Sequence, residues 1–222
     1  MSKIDELIKQ YCPDGVKYKQ MGEIGALIRG NGIQKKDFTE TGFPCIHYGQ
    51  IYTFYGAFAD KTKSFASLEL AKKLKKAEKG DVLIAGVSEN VEDVCKPLGW
   101  LGDEVCISGD MFAFRHSQNT KYITYLLQTD DFQQYKERNA QGTKVIRVKA
   151  DKILQYKIPV PPLEVQREIA NILDKFTQLE AGLEAELEAR EKQYEYYRNQ
   201  LLTFDDGVRW TTLGEVVTLK NG

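Results

Sequence analysis

The sequence has little of what catalytic and membrane-spanning chains use. Its 222 residues contain only two histidines, His47 and His116. Neither stands in a recognisable constellation with a nucleophile or a metal-ligating partner, so histidine-based catalysis has few candidates. The four cysteines, Cys12, Cys45, Cys95 and Cys106, are scattered without a Cys-x-x-Cys spacing. That pattern argues against a zinc site and a disulfide framework and leaves reduced, mostly buried thiols. There is no Gly-x-x-x-x-Gly-Lys phosphate loop, no Gly-x-Gly-x-x-Gly, no His-Glu-x-x-His and no Gly-x-Ser-x-Gly, which removes the common nucleotide, metalloprotease and hydrolase signatures. No apolar run approaches the ~20 residues that cross a bilayer. The start, Met-Ser-Lys-Ile-Asp-Glu, is too polar for a secretory signal, so a cytoplasmic protein without a membrane partner is expected. Paired acids such as Glu92-Asp93, Asp103-Glu104 and Asp130-Asp131 occur in turn-like settings and read as solvated surface. An enzyme is disfavoured.

What is present begins with a composition ordinary for a globular protein, 42% apolar and 28% charged. The formal net charge of −1 hides an asymmetry: residues 1–160 hold 24 Lys/Arg against 20 Asp/Glu, while residues 161–222 hold 7 against 12. A mildly basic domain is thus joined to an acidic segment, and such a domain can face phosphate while the rest avoids it. The sequence also repeats. Residues 208–222 match residues 16–30 in kind and without a gap, at Val16/Val208, Lys17/Arg209, Tyr18/Trp210, Met21/Leu213, Gly22/Gly214, Glu23/Glu215, Ile24/Val216 and Leu27/Leu219, an offset of 192 residues. A unit of that size is a domain, and a chain built on one such unit recovers two-fold symmetry by pairing with another copy.

Ser2 with Asp5 resembles a capping box, and Ile4, Leu7, Ile8 and Tyr11 share one face, which predicts a short helix over residues 3–11 ended by Pro13-Asp14-Gly15. Residues 16–28 read as extended. From Gly30-Asn31-Gly32 to about residue 115, short β-branched or aromatic runs predict strands at 45–48, 52–55, 81–85, 104–107 and 111–115. Helix is predicted over 68–79, 122–128 and 132–138. Pro159, Pro161 and Pro162 mark a boundary, and a long helix follows from Leu163 to Thr203. Its apolar positions Ile169, Ile172, Phe176, Leu179, Leu183, Leu187, Tyr194, Tyr197 and Leu201 follow a heptad-like seam, with a stutter at Leu183. Gly182 is a candidate kink. The expected class is α+β: a strand-rich domain over 1–158, a long helix over 159–207 that forms an antiparallel intermolecular coiled coil, and the start of a second repeat over 208–222.

Several loops carry side chains that grip phosphates and read base edges. Arg29, Asn31, Gln34, Lys35 and Lys36 cluster around glycines; Tyr48, Gln50, Ser88 and Asn90 lie where strands meet loops; Arg138, Asn139, Gln141, Thr143, Lys144 and Arg147 form a basic, amide-rich turn. Arg, Asn and Gln suit bidentate contacts to guanine or adenine, and lysines suit phosphate. The five lysines of 72–79 wrap around their predicted helix and read as a solvated face.

The run Lys157-Ile-Pro-Val-Pro-Pro-Leu-Glu-Val-Gln-Arg-Glu-Ile-Ala-Asn-Ile-Leu-Asp-Lys-Phe resembles the junction of specificity subunits in type I restriction-modification systems. Cys12-Pro-Asp-Gly-Val leading to Met21-Gly-Glu-Ile, Gly80-Asp-Val-Leu-Ile, and Gln141-Gly-Thr before Ile146 are similar as well. Val165 departs from the second glutamate that many members carry. The resemblance implies target-recognition domains held apart by antiparallel helices, each domain reading one half of a split DNA sequence. It implies no cofactor in this chain: adenine methylation, with S-adenosylmethionine, and cleavage belong to separate methyltransferase and restriction subunits, the former docking on the helices. With one recognition domain and one helix, the chain resembles a half-length subunit that dimerises on a symmetric site. The alternative is a coiled-coil interaction adaptor that never touches DNA.

Overall fold

A computed structural model describes residues 3–204 and 207–218. Ser2 of the predicted capping box and the last four residues of the repeat, including Leu219, lie outside the described residues. A first compact unit extends to Ile172, and a second begins at Leu173. The architecture is mixed α+β, strand-rich first and then a long helix, as expected.

Two sheets form the centre of the first unit. One has the order Gly25–Arg29, Met111–His116, Val82–Ala85, Pro97–Trp100, Phe58–Ala59, antiparallel except for its last, parallel pair. Every residue of Val82–Ala85 and Pro97–Trp100 is buried, as a strand covered on both faces requires. The other runs Phe38–Thr39, Ser64–Ala66, Phe43–Ile46, Val105–Ile107, Lys76–Ala77, with Phe43–Ile46 and Val105–Ile107 parallel. Between them lie Ile46, Ile51, Leu83, Leu98, Trp100 and Ile107. On the other side of the first sheet, Phe114, Ile84 and Met21 pack with helices Thr120–Leu126 and Asp130–Asn139 through Ile123, Leu127 and Phe132. Three of the four cysteines are buried and all are unbridged. Burial holds the Cys45 and Cys95 thiols up at about 12 and that of Cys106 at about 11.

Predicted helix Lys3–Tyr11 is present, as are the strands near 81–85, 104–107 and 111–115. Three expectations fail, the first because tertiary pairing overrides local preference and the others because a local cap starts a helical turn. Residues 68–79 are helical only over Leu68–Ala71, where the Ser67 hydroxyl accepts from the Leu70 N–H. Lys76–Ala77 then pairs with Val105 and Cys106, burying Ala77, so the lysines do not wrap a helix. Residues 52–55 are not a strand, because His47 starts a helix over Tyr48–Thr53: its Nδ1 accepts from the Gly49 N–H at 3.2 Å, and its own N–H donates to Gln50 Oε1 at 2.9 Å. Residues 16–28 are not continuously extended. One helical turn, Met21–Ile24, separates strand Tyr18–Gln20, which pairs with Lys157–Pro159, from strand Gly25–Arg29.

The long helix spans Leu163–Leu202, 40 residues that pass through Gly182 unbroken, or ~60 Å at 1.5 Å per residue. The first unit outruns its expected end at 158 because this helix begins inside it. Val165, Gln166 and Ala170 are buried, and Ile169 packs on the core around Phe114. Gln166 accepts from the Asn119 N–H at 3.0 Å and donates to Gln118 Oε1 and Pro161 O, each at 2.8 Å, which anchors the proline-rich junction. Ile169 is therefore committed to its own domain rather than to the expected seam. From Phe176 on, the stripe is bare: Phe176, Leu179, Leu183, Leu187, Tyr194, Tyr197 and Leu201 are all at least half exposed.

The repeat is visible in three dimensions. The helical turn Leu213–Val216 stands at the same offset as Met21–Ile24, with the same caps: Gln20 N–H donates to Glu23 Oε2 at 2.6 Å, and Thr212 N–H to Glu215 Oε2 at 3.2 Å. Surroundings differ. Met21 is fully buried, whereas Leu213 is 76% exposed.

His116 ends the strand Met111–His116 with Nδ1 accepting from the Gln118 N–H and Nε2 buried without a partner. Burial pushes its pKa from 6.5 to about 4, against the pull of Asp81. Because the folded value is the lower one, the unfolded chain takes up a proton first as the pH falls. The stability held by the neutral ring is complete above 6.5 and lost as the pH drops toward 4, up to about 3 kcal/mol. Denaturant melts across that window are expected to show the loss, and His116→Leu to flatten it; an equally steep decline in the variant refutes the assignment to His116.

Candidate functional site

Pairing of strand Ile146–Val148 with Val87–Ser88 brings the 142–145 turn beside residues 88–90. That turn depends on Gly142, whose φ is +109° and whose missing Cβ would stand 2.1 Å from Val145 O. Opposite, the helix Tyr48–Thr53 and the turn Lys35–Asp37, the latter closed by Gln34 N–H donating to Asp37 Oδ2, supply the other wall. Between these walls lies a cleft of about 720 Å³. Lys35, Tyr48, Gln50, Ser88, Asn90 and Lys144, all predicted from the sequence, line it.

Two smaller hollows continue the same surface. One, sharing Val87 with the cleft, holds Arg29 and Arg147; the other, sharing Tyr48, holds Gln34. Nine of the fifteen predicted side chains therefore line contiguous hollows. Lys36, on the same turn as Lys35, is exposed outside them. Gln141 and Thr143 are exposed beside the Gly142 turn. Arg138 and Asn139 end the helix Asp130–Asn139, where they bond to Gln134 Oε1 and Tyr135 O. Asn31 is absorbed by the fold: its Oδ1 accepts from the Lys75 N–H at 2.5 Å and its Nδ2 donates to Lys73 O at 3.1 Å.

Within the cleft much of the polar chemistry is already used. Gln50 is buried, bonded to Ser64 Oγ at 2.7 Å and to the His47 N–H. Asn90 donates to Asp93 Oδ2 at 2.8 Å and accepts from the Asp93 N–H at 2.7 Å. Tyr52 donates to Val87 O at 2.7 Å, and burial drives its phenol pKa upward. His47 is held below its usual pKa by burial first and then by the Lys35 charge, with Asp110 opposing, so at neutral pH it caps its helix as an uncharged ring. Sequence reasoning missed Lys63 and Glu89, both cleft-lining. It also missed Cys95, a non-glycine at φ 60° at the base of the 89–94 loop. It missed buried Lys136 too, whose Nζ braces that loop through Glu92 O at 2.8 Å. No local pattern distinguishes these residues from ordinary loop and helix positions.

Among the described residues no three His, Cys, Asp or Glu side chains gather to hold a metal ion, and no helix is long and apolar enough to cross a membrane. A fold-level comparison finds similarity to a chain solved in a study of assembly and conformational transition of the type I R-M system, with a TM-score of 0.61 at 23% identity over 86% of this chain and 48% of that one. A putative type I restriction enzyme specificity subunit of Haemophilus influenzae is 30% identical over 203 residues, 85% of this chain and 48% of its own length. A putative type I specificity subunit of Mycoplasma pneumoniae is 32% identical over 192 residues, 85% and 52% respectively. The chain thus spans about half the length of these curated relatives. Residues 13–189 match the model of the type I restriction modification DNA specificity domain, and the chain belongs to that family of type I restriction-modification specificity subunits.

Proposed function

We propose that this chain is a non-catalytic DNA reader: its strand-rich unit recognises one half of an interrupted duplex sequence, and its long helix pairs antiparallel with that of a second copy. The observation that carries the reading is the convergence of Lys35, Lys63 and Lys144 with Tyr48 on one cleft, in a unit with a net positive balance. Exposed ammonium groups on turns suit phosphate oxygens, and the groups between them suit base edges. An adaptor that never meets DNA has no use for such a cleft.

The stripe on the helix supports pairing with an identical partner. Taken from the outside inward, Phe176 with Leu201, Leu179 with Tyr197, Leu183 with Tyr194 and Leu187 with Arg190 are all centred within half a residue of one point, between Glu188 and Ala189. A two-fold interface needs this property, since position i must meet j while j meets i. In that register each leucine of the first half faces a tyrosine or arginine stem of the second. A rod of ~60 Å then separates two readers by one to two turns of duplex, each ~34–36 Å. Adenine methylation with S-adenosylmethionine, and cleavage, fall to separate methyltransferase and restriction subunits that dock on the pair.

Mapping methylated adenines in a host that expresses this chain with a type I methyltransferase subunit tests the reading. A palindromic interrupted motif is the expected result. An asymmetric bipartite motif would refute the self-pairing, and methylation without sequence preference would refute the reader.

A further inference from the structure

The cleft holds one carboxylate that the fold leaves free. Gln50, Asn90, Asp93 and Tyr52 are spent on the internal bonds described above. Lys35, Lys63 and Lys144 are exposed donors. Glu89 lines the same cleft, is exposed, and its carboxylate makes no hydrogen bond or ion pair among the described residues. An unpaired carboxylate beside a polyanion is repelled by it, a cost of binding unless the group meets a donor on the nucleic acid. The only neutral donors that base pairs expose in the major groove are the exocyclic amino groups, cytosine N4 and adenine N6. A carboxylate accepts from these and rejects the guanine and thymine carbonyl oxygens at the same place.

Resting on the proposed DNA-reading function, we infer that Glu89 sets specificity at one base pair of each half-site by accepting a hydrogen bond from a cytosine or adenine amino group. The lysines around it hold phosphates and supply affinity without sequence. Three features favour Glu89 over its neighbours. It follows strand Val87–Ser88, whose register is fixed by Ile146 and Arg147. Its loop is braced by the Asn90–Asp93 pair and by Lys136 on Glu92 O. Its own side chain is held by nothing, and so is available.

The test is selection from a randomised duplex library by the full 222-residue chain and by Glu89→Ala and Glu89→Gln. The wild-type chain is expected to enrich cytosine or adenine at one position per half-site, the selected base deciding between the two amino groups. Glu89→Ala is expected to lose about 5- to 150-fold of discrimination there, the equivalent of 1–3 kcal/mol. It should keep the other positions and bind unrelated duplex no more weakly than wild type, because a negative charge has gone. Identical preferences in all three proteins overturn the inference while leaving the reader intact, as does an equal loss at every position. A wild-type chain that enriches no sequence overturns both.

Discussion

Replacing Leu183 and Leu187 with glutamate is expected to halve the particle in light scattering, from about twice 25.3 kDa to 25.3 kDa. The two leucines are 59% and 61% exposed in the isolated chain, so the substitutions remove nothing from the packing of the chain itself. In a two-fold pair each counts twice. Burying one leucine contributes about 1.5–3 kcal/mol, so four lost burials amount to roughly 6–12 kcal/mol before the repulsion of four carboxylates near the axis is added. That is comparable to the roughly 8 kcal/mol that holds a micromolar dimer together. The first unit, with its core on the two sheets, should melt as before. A wild-type chain that scatters as a monomer, or a variant that still scatters as a dimer, removes the seam from the proposed function.

Reversing the cleft charges, with Lys35, Lys63 and Lys144 all changed to glutamate, is expected to weaken duplex binding by roughly a thousandfold at moderate salt. The basis is a loss of about tenfold for each charge-assisted bond to phosphate. The slope of affinity against salt, in logarithms, should become shallower by nearly one for each phosphate no longer neutralised. All three side chains are exposed, and none is in an ion pair, so stability should hardly move. Fluorescence anisotropy across a salt series separates the outcomes. An unchanged slope means that these lysines do not touch phosphate and that the cleft is not where DNA lies.

What could be read from the sequence was whatever the chain decides locally. The helix Leu163–Leu202 was legible because heptad spacing needs no knowledge of the rest of the fold. Helix Lys3–Tyr11 was legible from its single apolar face. Residues 72–79 were not, because their fate depends on strand Val105–Ile107, which offers Lys76–Ala77 a pairing edge. The helix Tyr48–Thr53 was hidden because its start is made by a histidine ring, an uncommon cap. Site residues show the same division. Lysines on glycine-rich turns declared themselves, but that Asn31 is consumed by the backbone of Lys73 and Lys75, 42 and 44 residues away, follows only from the fold. Ile169 looked like any other seam position, and only the packing of the first helical turns on the core around Phe114 sets it apart.

The second copy of the capped turn carries a mismatch that matters when two copies lie side by side. Where the first turn is followed by Gly25, the repeat has Val217. At Gly25 a side chain would stand 2.4 Å from Arg115 O and 2.7 Å from the Phe114 ring. A neighbour's tail can imitate the resident segment as far as Val216 but cannot be exchanged for it along the strand that follows. In the proposed two-fold pair this mismatch would work against the copies trading edge segments and growing into open chains.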